Sequence, residues 1–138
     1  MNTNCIFCKI VRGEAPSVKV YEDDDTMAFM DIGPVVKGHT LIIPKAHYER
    51  IFDTPPELLQ KIIVVVQKVA RAVVKGLNAD GVNVTQANGR AAGQIVFHIH
   101  FHVIPRFETD GALRGWRAGK YESHEEMESF AQKIKSAL

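Results

Sequence analysis

Three of the six histidines stand within five residues, as His98-Ile99-His100-Phe101-His102. On a β-strand, alternate side chains share a face, so this spacing puts three imidazoles on one side and Ile99, Phe101 and Val103 on the other. Successive histidines would then lie ~6.6 Å apart along the backbone. One buried histidine is ordinary packing, but three on one face point to chemistry. Two chemistries fit the row. A His-x-His pair can chelate zinc when further ligands arrive from elsewhere. Alternatively, one imidazole attacks as a nucleophile while its neighbours stabilise charge and move protons. Phosphorus is a suitable target, because an imidazole of pKa ~6.5 is largely neutral at pH 7. The turn from Gly89 to Gly93 lies close by in sequence and could offer backbone N–H groups to phosphate oxygens.

A second cluster stands near the N-terminus, Cys5-Ile6-Phe7-Cys8. That spacing reads as half a metal site, as a redox pair, or as two inert thiols. A thioredoxin-type pair opens a helix after a strand, and only four residues precede Cys5. Metal is therefore favoured, and the pair needs two more ligands.

Both clusters need elements to hold them. Ser17 to Glu22 alternates apolar and polar residues, Asp23-Asp24-Asp25 makes a turn, and Thr26–Ile32 and His39–Pro44 are β-rich runs broken at Gly33-Pro34 and Gly38. Thr54-Pro55-Pro56-Glu57 predicts a helix start with Thr54 as N-cap. That helix should run to about Val74 or Lys75 and stop at Gly76. Its apolar residues, Leu58 to Val74, cover roughly half the cylinder, more than the ~100° stripe one sheet requires. A second copy of the chain is the economical use for the surplus. Val82–Gln86 and Ile95–Ile104 are further strands, the latter closed by Pro105. Phe107–Tyr121 reads as a loop, and Ser123-His124-Glu125-Glu126 opens a C-terminal helix through Ile134 with a capping box. The expected architecture is α+β: about five mostly antiparallel strands, one long helix and one terminal helix.

The 138 residues suit a single domain, 1–138, with its core at about 4–107 and a loop and helix over 108–138. Lys and Arg total 17 against 16 Asp and Glu, a net charge of +1, which argues against a nucleic-acid coat or a polybasic membrane binder. The longest strongly apolar run, Ile62–Val66, is far short of the ~20 residues that span a bilayer. With no basic n-region and apolar h-region at the start of the sequence, the expected compartment is the cytoplasm.

His98-Ile99-His100-Phe101-His102-Val103-Ile104 resembles the motif of the histidine triad (HIT) family of nucleotide hydrolases and transferases. Cys5-Ile6-Phe7-Cys8-Lys9-Ile10, Ala28–Ile32, Gly38–His47 and Ala92-Gly93-Gln94 are similar to further family segments, in the right order. Only the last ~25 residues lack a match of this kind.

The resemblance implies His100 as the nucleophile on the α-phosphate of a nucleotide, with His102 and His39 beside the phosphate. It implies Asp31 at the ribose hydroxyls, Ile32 against the base, and Asn88, Gly93 and Gln94 on the phosphate side. Asp31 before Gly33-Pro34 and Asn88 before Gly89 also read as turn residues. Family members with zinc on the CxxC imply one structural zinc per chain on Cys5, Cys8, His47 and His98. Such a tetrahedral set leaves no open position. Ile95 is a departure, since many relatives carry Ser or Thr there. The implied protein is a homodimeric hydrolase of purine nucleoside 5′-derivatives such as phosphoramidates or dinucleoside polyphosphates, binding neither nucleic acid nor membrane. A nucleotide-binding adaptor with little turnover is the alternative, and a zinc module using His98 and His100 together is a third reading.

Overall fold

Runs of β-branched and apolar residues between tight turns form five strands, β1 (Lys19–Glu22), β2 (Thr26–Met30), β3 (Thr40–Pro44), β4 (Gly81–Gln86) and β5 (Phe101–Arg106). The computed structural model describes residues 4–111 and 116–138. Every paired strand is antiparallel, and the sheet order is β1-β2-β3-β5-β4. Three α-helices among the described residues, α1 (Ile6–Val11), α2 (Pro56–Leu77) and α3 (His124–Lys135), complete the fold, with a 3-10 turn at Arg90–Ala92. This is the expected α+β architecture. The short helix α1 was not expected from sequence; Cys5 caps it, its sulfur accepting the Cys8 N–H.

The register determines which side chains share a face. Met27 and Phe29 of β2 with Leu41 and Ile43 of β3 form one apolar layer with Phe7 and Cys8 of α1 and the cap residue Cys5. Ala28, Met30, Ile42 and Val103 point the other way, into a larger core with α2 and α3. Six α2 side chains are buried there: Ile62, Val65, Val66, Val69, Ala72 and Val73. Each of the Ile and Val side chains contributes about 1.5–3 kcal/mol on burial. Phe29 pairs with Leu41, Leu41 with His102, and His102 with Thr85, so His102 lies on the α1 side of the sheet.

Several expected boundaries move. The last sheet strand begins at Phe101, not Ile95, so only His102 of the three histidines lies on it. β3 ends at Pro44, and the Ile99 N–H goes instead to the Tyr48 carbonyl at 2.7 Å. Pro105 does not close β5 but sits within it, opposite Val82. It is tolerated because β3 pairs only as far as Val103, leaving no partner for an N–H on that side. Thr54 does not cap α2; its hydroxyl donates to the Arg50 carbonyl, and Pro55 occupies the cap position. Gly76 does not end α2 either. The helix continues to Leu77 and stops at Asn78, in the left-handed conformation at φ 53°. Gly76 is instead a point of close approach, since a Cβ there would lie 2.4 Å from the Lys133 carbonyl oxygen of α3. The Ser123 cap forms as expected, its Oγ accepting the Glu126 N–H at 3.1 Å. Residues 112–115 of the expected 107–121 loop lie outside the described residues.

Candidate functional site

The two sequence clusters meet on the α1 side of the sheet. Cys5 and Cys8 are held by the first turn of α1, His47 by the segment after β3, and His98 by the stretch leading into β5. Their donor atoms all lie within 4.8 Å of one another. Cys5 Sγ is 3.4 Å and Cys8 Sγ 3.6 Å from His98 Nδ1, Cys8 Sγ is 3.3 Å from His47 Nδ1, and the two Nδ1 atoms are 3.2 Å apart. Zn–N bonds of ~2.0–2.1 Å and Zn–S bonds of ~2.3 Å place tetrahedral donors about 3.3–3.7 Å apart. These separations fit a tetrahedral ion. The His98 ring is prepared for it: Nε2–H donates to the Pro44 carbonyl at 2.8 Å, which leaves Nδ1 bare and facing the sulfurs. Burial pushes His98 down to about 4, so the ring is neutral, as a ligand must be.

A row of aromatic rings continues from that cluster. Phe7 stands edge-on to both His98 and His100, with centroids 5.8 and 5.1 Å away. His100 and His102 are 4.9 Å apart, and His102 and His39 are 5.1 Å apart. His100 Nδ1 lies 2.7 Å from the His98 carbonyl oxygen and must donate to it, so its Nε2 carries the lone pair. Burial lowers the His100 pKa from its ordinary value, against the opposing pull of the hydrogen bond to the His98 carbonyl and of Asp31, and keeps the ring neutral. Burial pushes His39 down to about 4, against the opposing pull of Asp31, and His102 to about 3, with the neighbouring imidazoles acting in the same direction as burial. A row of neutral imidazoles, with His39 and His100 buried and His102 half-buried, one of them with a fixed bare nitrogen, is equipped for nucleophilic attack near neutral pH.

Asp31, at the end of β2, combines a turn role with proximity to the row. Its Oδ1 accepts the Gly33 N–H at 2.8 Å, while Oδ2 lies 3.5 Å from His39 Nε2. Ile32 beside it is 79% exposed, an open apolar surface at the mouth of the site. The other expected nucleotide contacts are placed differently. Asn88 Oδ1 accepts from the Ile51 N–H and from Gln86, and its amide donates back to Gln86. Gln94 is buried with its amide committed to backbone: Oε1 accepts the Gly89 N–H, and Nε2 donates to the Glu49 and Val96 carbonyls. The N–H groups of Gly89, Ala92, Gly93 and Gln94 are all bonded within this loop, so those four amides are not aimed outward as an anion cradle requires. Ile95, at the departure position, is 87% exposed.

Trp116 escaped the sequence reading. Its ring packs edge-on against His102 at 4.9 Å and His39 at 5.5 Å, yet it remains 54% exposed. The following residues close on the Asp31 turn, where the Gly119 N–H donates to the Pro34 carbonyl at 2.7 Å. The signal in the sequence was a lone tryptophan in a glycine-rich loop, a place where a large ring has no core to enter.

Asp31, His39 and His102 also offer three donor atoms close enough to surround an ion. Hydrogen bonding argues against that use. His39 Nδ1 accepts the Val35 N–H at 3.1 Å, so the ring's proton resides on Nε2. Freeing Nε2 for a metal would demand an imidazolate or the loss of that bond.

A family model described as "HIT domain" matches residues 12–109. An adenosine 5′-monophosphoramidase of Candida albicans is 43% identical over 122 residues, 85% of this chain and 80% of that protein. An adenylylsulfatase of Arabidopsis thaliana is 44% identical over 110 residues, 80% of this chain and 56% of that protein. Among solved structures, a HIT-like protein involved in cell-cycle regulation from Bartonella henselae superposes with a TM-score of 0.91 at 46% identity, covering 100% of this chain and 98% of the other. A Zn-bound histidine triad family protein from Mycobacterium smegmatis gives 0.87 at 40% identity, with 97% and 92% covered.

Proposed function

Because the chain belongs to the HIT domain family, we propose that it cleaves purine nucleoside 5′-derivatives at the α-phosphate through a nucleotidyl-histidine intermediate. The observation that carries this reading is the His100 ring, whose Nδ1–H is held by the His98 carbonyl so that Nε2 is bare. In the first step the Nε2 lone pair forms a bond to the α-phosphorus. The bond to the leaving group breaks, and that group departs with the electron pair and takes up a proton. In the second step water attacks phosphorus, the P–N bond breaks with its electron pair returning to Nε2, and water gives up a proton that replaces the one taken by the leaving group, so neutral His100 is restored with the nucleoside monophosphate as product. His102 and His39 would stand beside the reacting phosphate, Asp31 would accept from the ribose hydroxyls, and Ile32, which is exposed, would offer its face to the base. Asn88, Gly93 and Gln94 support the phosphate side by shaping the loop that borders it. Phosphoramidates and dinucleoside polyphosphates are the proposed substrates; relatives named as a phosphoramidase and an adenylylsulfatase support cleavage at that phosphorus.

Zinc, one ion per chain, is the proposed occupant of Cys5, Cys8, His47 and His98. It closes the N-terminal helix onto the sheet and takes no part in the chemical steps. Two copies of the chain are proposed to associate at the sheet edge formed by β4, which has no further strand beside it among the described residues. Val84 on that edge is 45% exposed, and Ile63 and Val64 on α2 are also largely exposed. Neither cysteine forms a disulfide, which suits the reducing cytoplasm, and no helix among the described residues is long and apolar enough to cross a membrane.

A panel of adenosine and guanosine phosphoramidates, adenylyl sulfate and dinucleoside polyphosphates, quenched in acid-free conditions and read by intact-protein mass spectrometry, tests the reading. A nucleotidyl adduct on the His98–His102 peptide is expected with at least one substrate class. Saturable nucleotide binding with no adduct and no turnover across the panel would establish the adaptor instead.

A further inference from the structure

We propose that Cys5 and Cys8 form a peroxide-sensitive dithiol, in which Cys5 is oxidised through a cavity at the start of α1 and Cys8 closes a disulfide that dismantles the metal cluster. The metal and redox readings of the CxxC are then successive states of one pair. The cavity measures about 300 Å³, and its walls include Cys5, Ile6, His47, Glu49, Ile95 and Phe97. Ile6 and Ile95 are exposed, so it opens to solvent. Its volume is many times the ~30 Å³ that one water occupies in the liquid, and hydrogen peroxide is little larger than water. Cys8 does not line the cavity; it has no exposed surface and backs onto His47 Nδ1 at 3.3 Å and His98 Nδ1 at 3.6 Å. The two sulfurs thus differ in access although they lie within 4.8 Å of one another. A sulfur that ligates a metal is a thiolate, the form that attacks a peroxide.

In the first step the Cys5 thiolate forms a bond to one peroxide oxygen, the O–O bond breaks, and the departing hydroxide takes a proton from solvent to leave as water. Cys5 is then a sulfenic acid. In the second step the Cys8 thiolate attacks the Cys5 sulfur, the S–O bond breaks, and a second hydroxide takes a second proton. Two thiolates have lost two electrons, and one peroxide has become two waters. Sulfurs bonded to each other are no longer thiolate ligands, so of the four donors only His47 and His98 remain. The change reaches the imidazole row by two contacts. Phe7, between the cysteines in sequence, stands edge-on to His100 at 5.1 Å, and the His98 carbonyl accepts from His100 Nδ1 at 2.7 Å. Both residues are held by the intact cluster, so its loss loosens what positions His100. The effect on turnover rests on the proposed hydrolysis and the metal loss on the proposed zinc; the dithiol chemistry belongs to the chain alone.

The zinc-loaded protein, exposed to hydrogen peroxide and sampled over time, tests this by peptide mass mapping, a chromogenic zinc chelator and turnover. A Cys5–Cys8 disulfide should appear in step with zinc release and a several-fold fall in kcat, and dithiothreitol with added zinc should restore all three. Cys8→Ser removes the second thiol and should accumulate a Cys5 sulfenic acid, trapped by dimedone. Ile95→Trp enlarges a side chain on the cavity wall and should slow disulfide formation several-fold while zinc content and melting temperature hold. Oxidation of Ile95→Trp at the wild-type rate overturns the cavity as the route, even if Cys8→Ser fails to fold. Zinc released with both thiols still reduced, or oxidation that yields sulfinic acids and no disulfide, overturns the dithiol. A disulfide that leaves kcat unchanged overturns the coupling to His100. A disulfide that forms in a chain purified without zinc, or in one that turns over no nucleotide, defeats the zinc or the hydrolase reading and leaves the dithiol standing.

Discussion

His98, His100 and His102 are chemically identical side chains made different by what stands behind each ring: the Pro44 carbonyl, the His98 carbonyl and His39. Their alanine variants should therefore fail in different ways. His100→Ala should abolish adduct formation and cost several orders of magnitude in turnover while nucleotide binding and zinc content hold. His98→Ala should lose zinc and thermal stability first and activity as a consequence. His102→Ala should slow turnover by about 10²-fold through lost charge stabilisation while still allowing some adduct to form. Metal analysis, melting curves and adduct mapping on one set of variants distinguish these outcomes, and an adduct mapped to His102 in the wild type would overturn the assignment of the nucleophile. The same burial makes stability depend on pH. His39 and His102 have folded-state pKa values near 4 and 3, below the ordinary histidine value of 6.5, so below pH 6.5 the unfolded chain binds protons that the native state refuses. Stability is then fully present above pH 6.5 and falls on acidification toward pH 4, by up to about 1.4 kcal/mol per pH unit for each of the two rings. Urea melts from pH 7.5 to 4.5 should show this loss, and His39→Gln should flatten part of it.

At the scale of elements, the helix pair α2–α3 makes a test in which two known effects oppose each other. Replacing a helical glycine by alanine ordinarily gains about 1 kcal/mol, whereas forcing a Cβ into a closed contact costs about 1–3 kcal/mol. At Gly76 the added carbon would sit 2.4 Å from a backbone oxygen of α3, so the clash should win and Gly76→Ala should lower the urea midpoint. A raised midpoint would mean that the two helices separate freely. The position also shows where sequence reading reaches its limit. Gly76 looks like a helix stop because a terminating glycine and a glycine needed for close approach are the same letter, and the distinguishing residue, Lys133, is 57 positions away. The start of β5 was lost for a similar reason: the alternation from His98 to Val103 is real, but whether backbone groups find a strand neighbour depends on where β3 ends. Local signals were legible. The Ser123 cap, the central hairpins and the apolar face of α2 all depend on neighbours within a few residues, although Glu126 bonds the Glu122 N–H in place of the Ser123 N–H a full capping box would use. The imidazole row and the gathering of Cys5, Cys8, His47 and His98 were legible as residue types. The tautomers and the packing of Trp116 were not, because tertiary partners alone create them.

For the whole molecule, the sheet order leaves β4 at an edge, with α2 lying over the opposite face from the imidazole row. An unpaired edge and exposed apolar side chains together favour a second copy of the chain, and light scattering should report twice the mass of one chain. Val64→Asp, at a position 61% exposed, should give a folded monomer with zinc content unchanged. If that variant stays dimeric and the wild type is a dimer, the association uses another surface. A wild type that is monomeric at all accessible concentrations removes the proposed pairing.

Trp116 is the chain's single tryptophan, and it touches the two rings whose neutrality the site depends on. The protein therefore carries its own optical probe. Indole emission is quenched by a neighbouring imidazolium but far less by a neutral ring, so fluorescence excited at the indole should stay level through neutrality and drop only in strong acid. A nucleotide seated against His102 alters the same environment, which makes binding measurable by emission alone, without labels and in variants that no longer turn over.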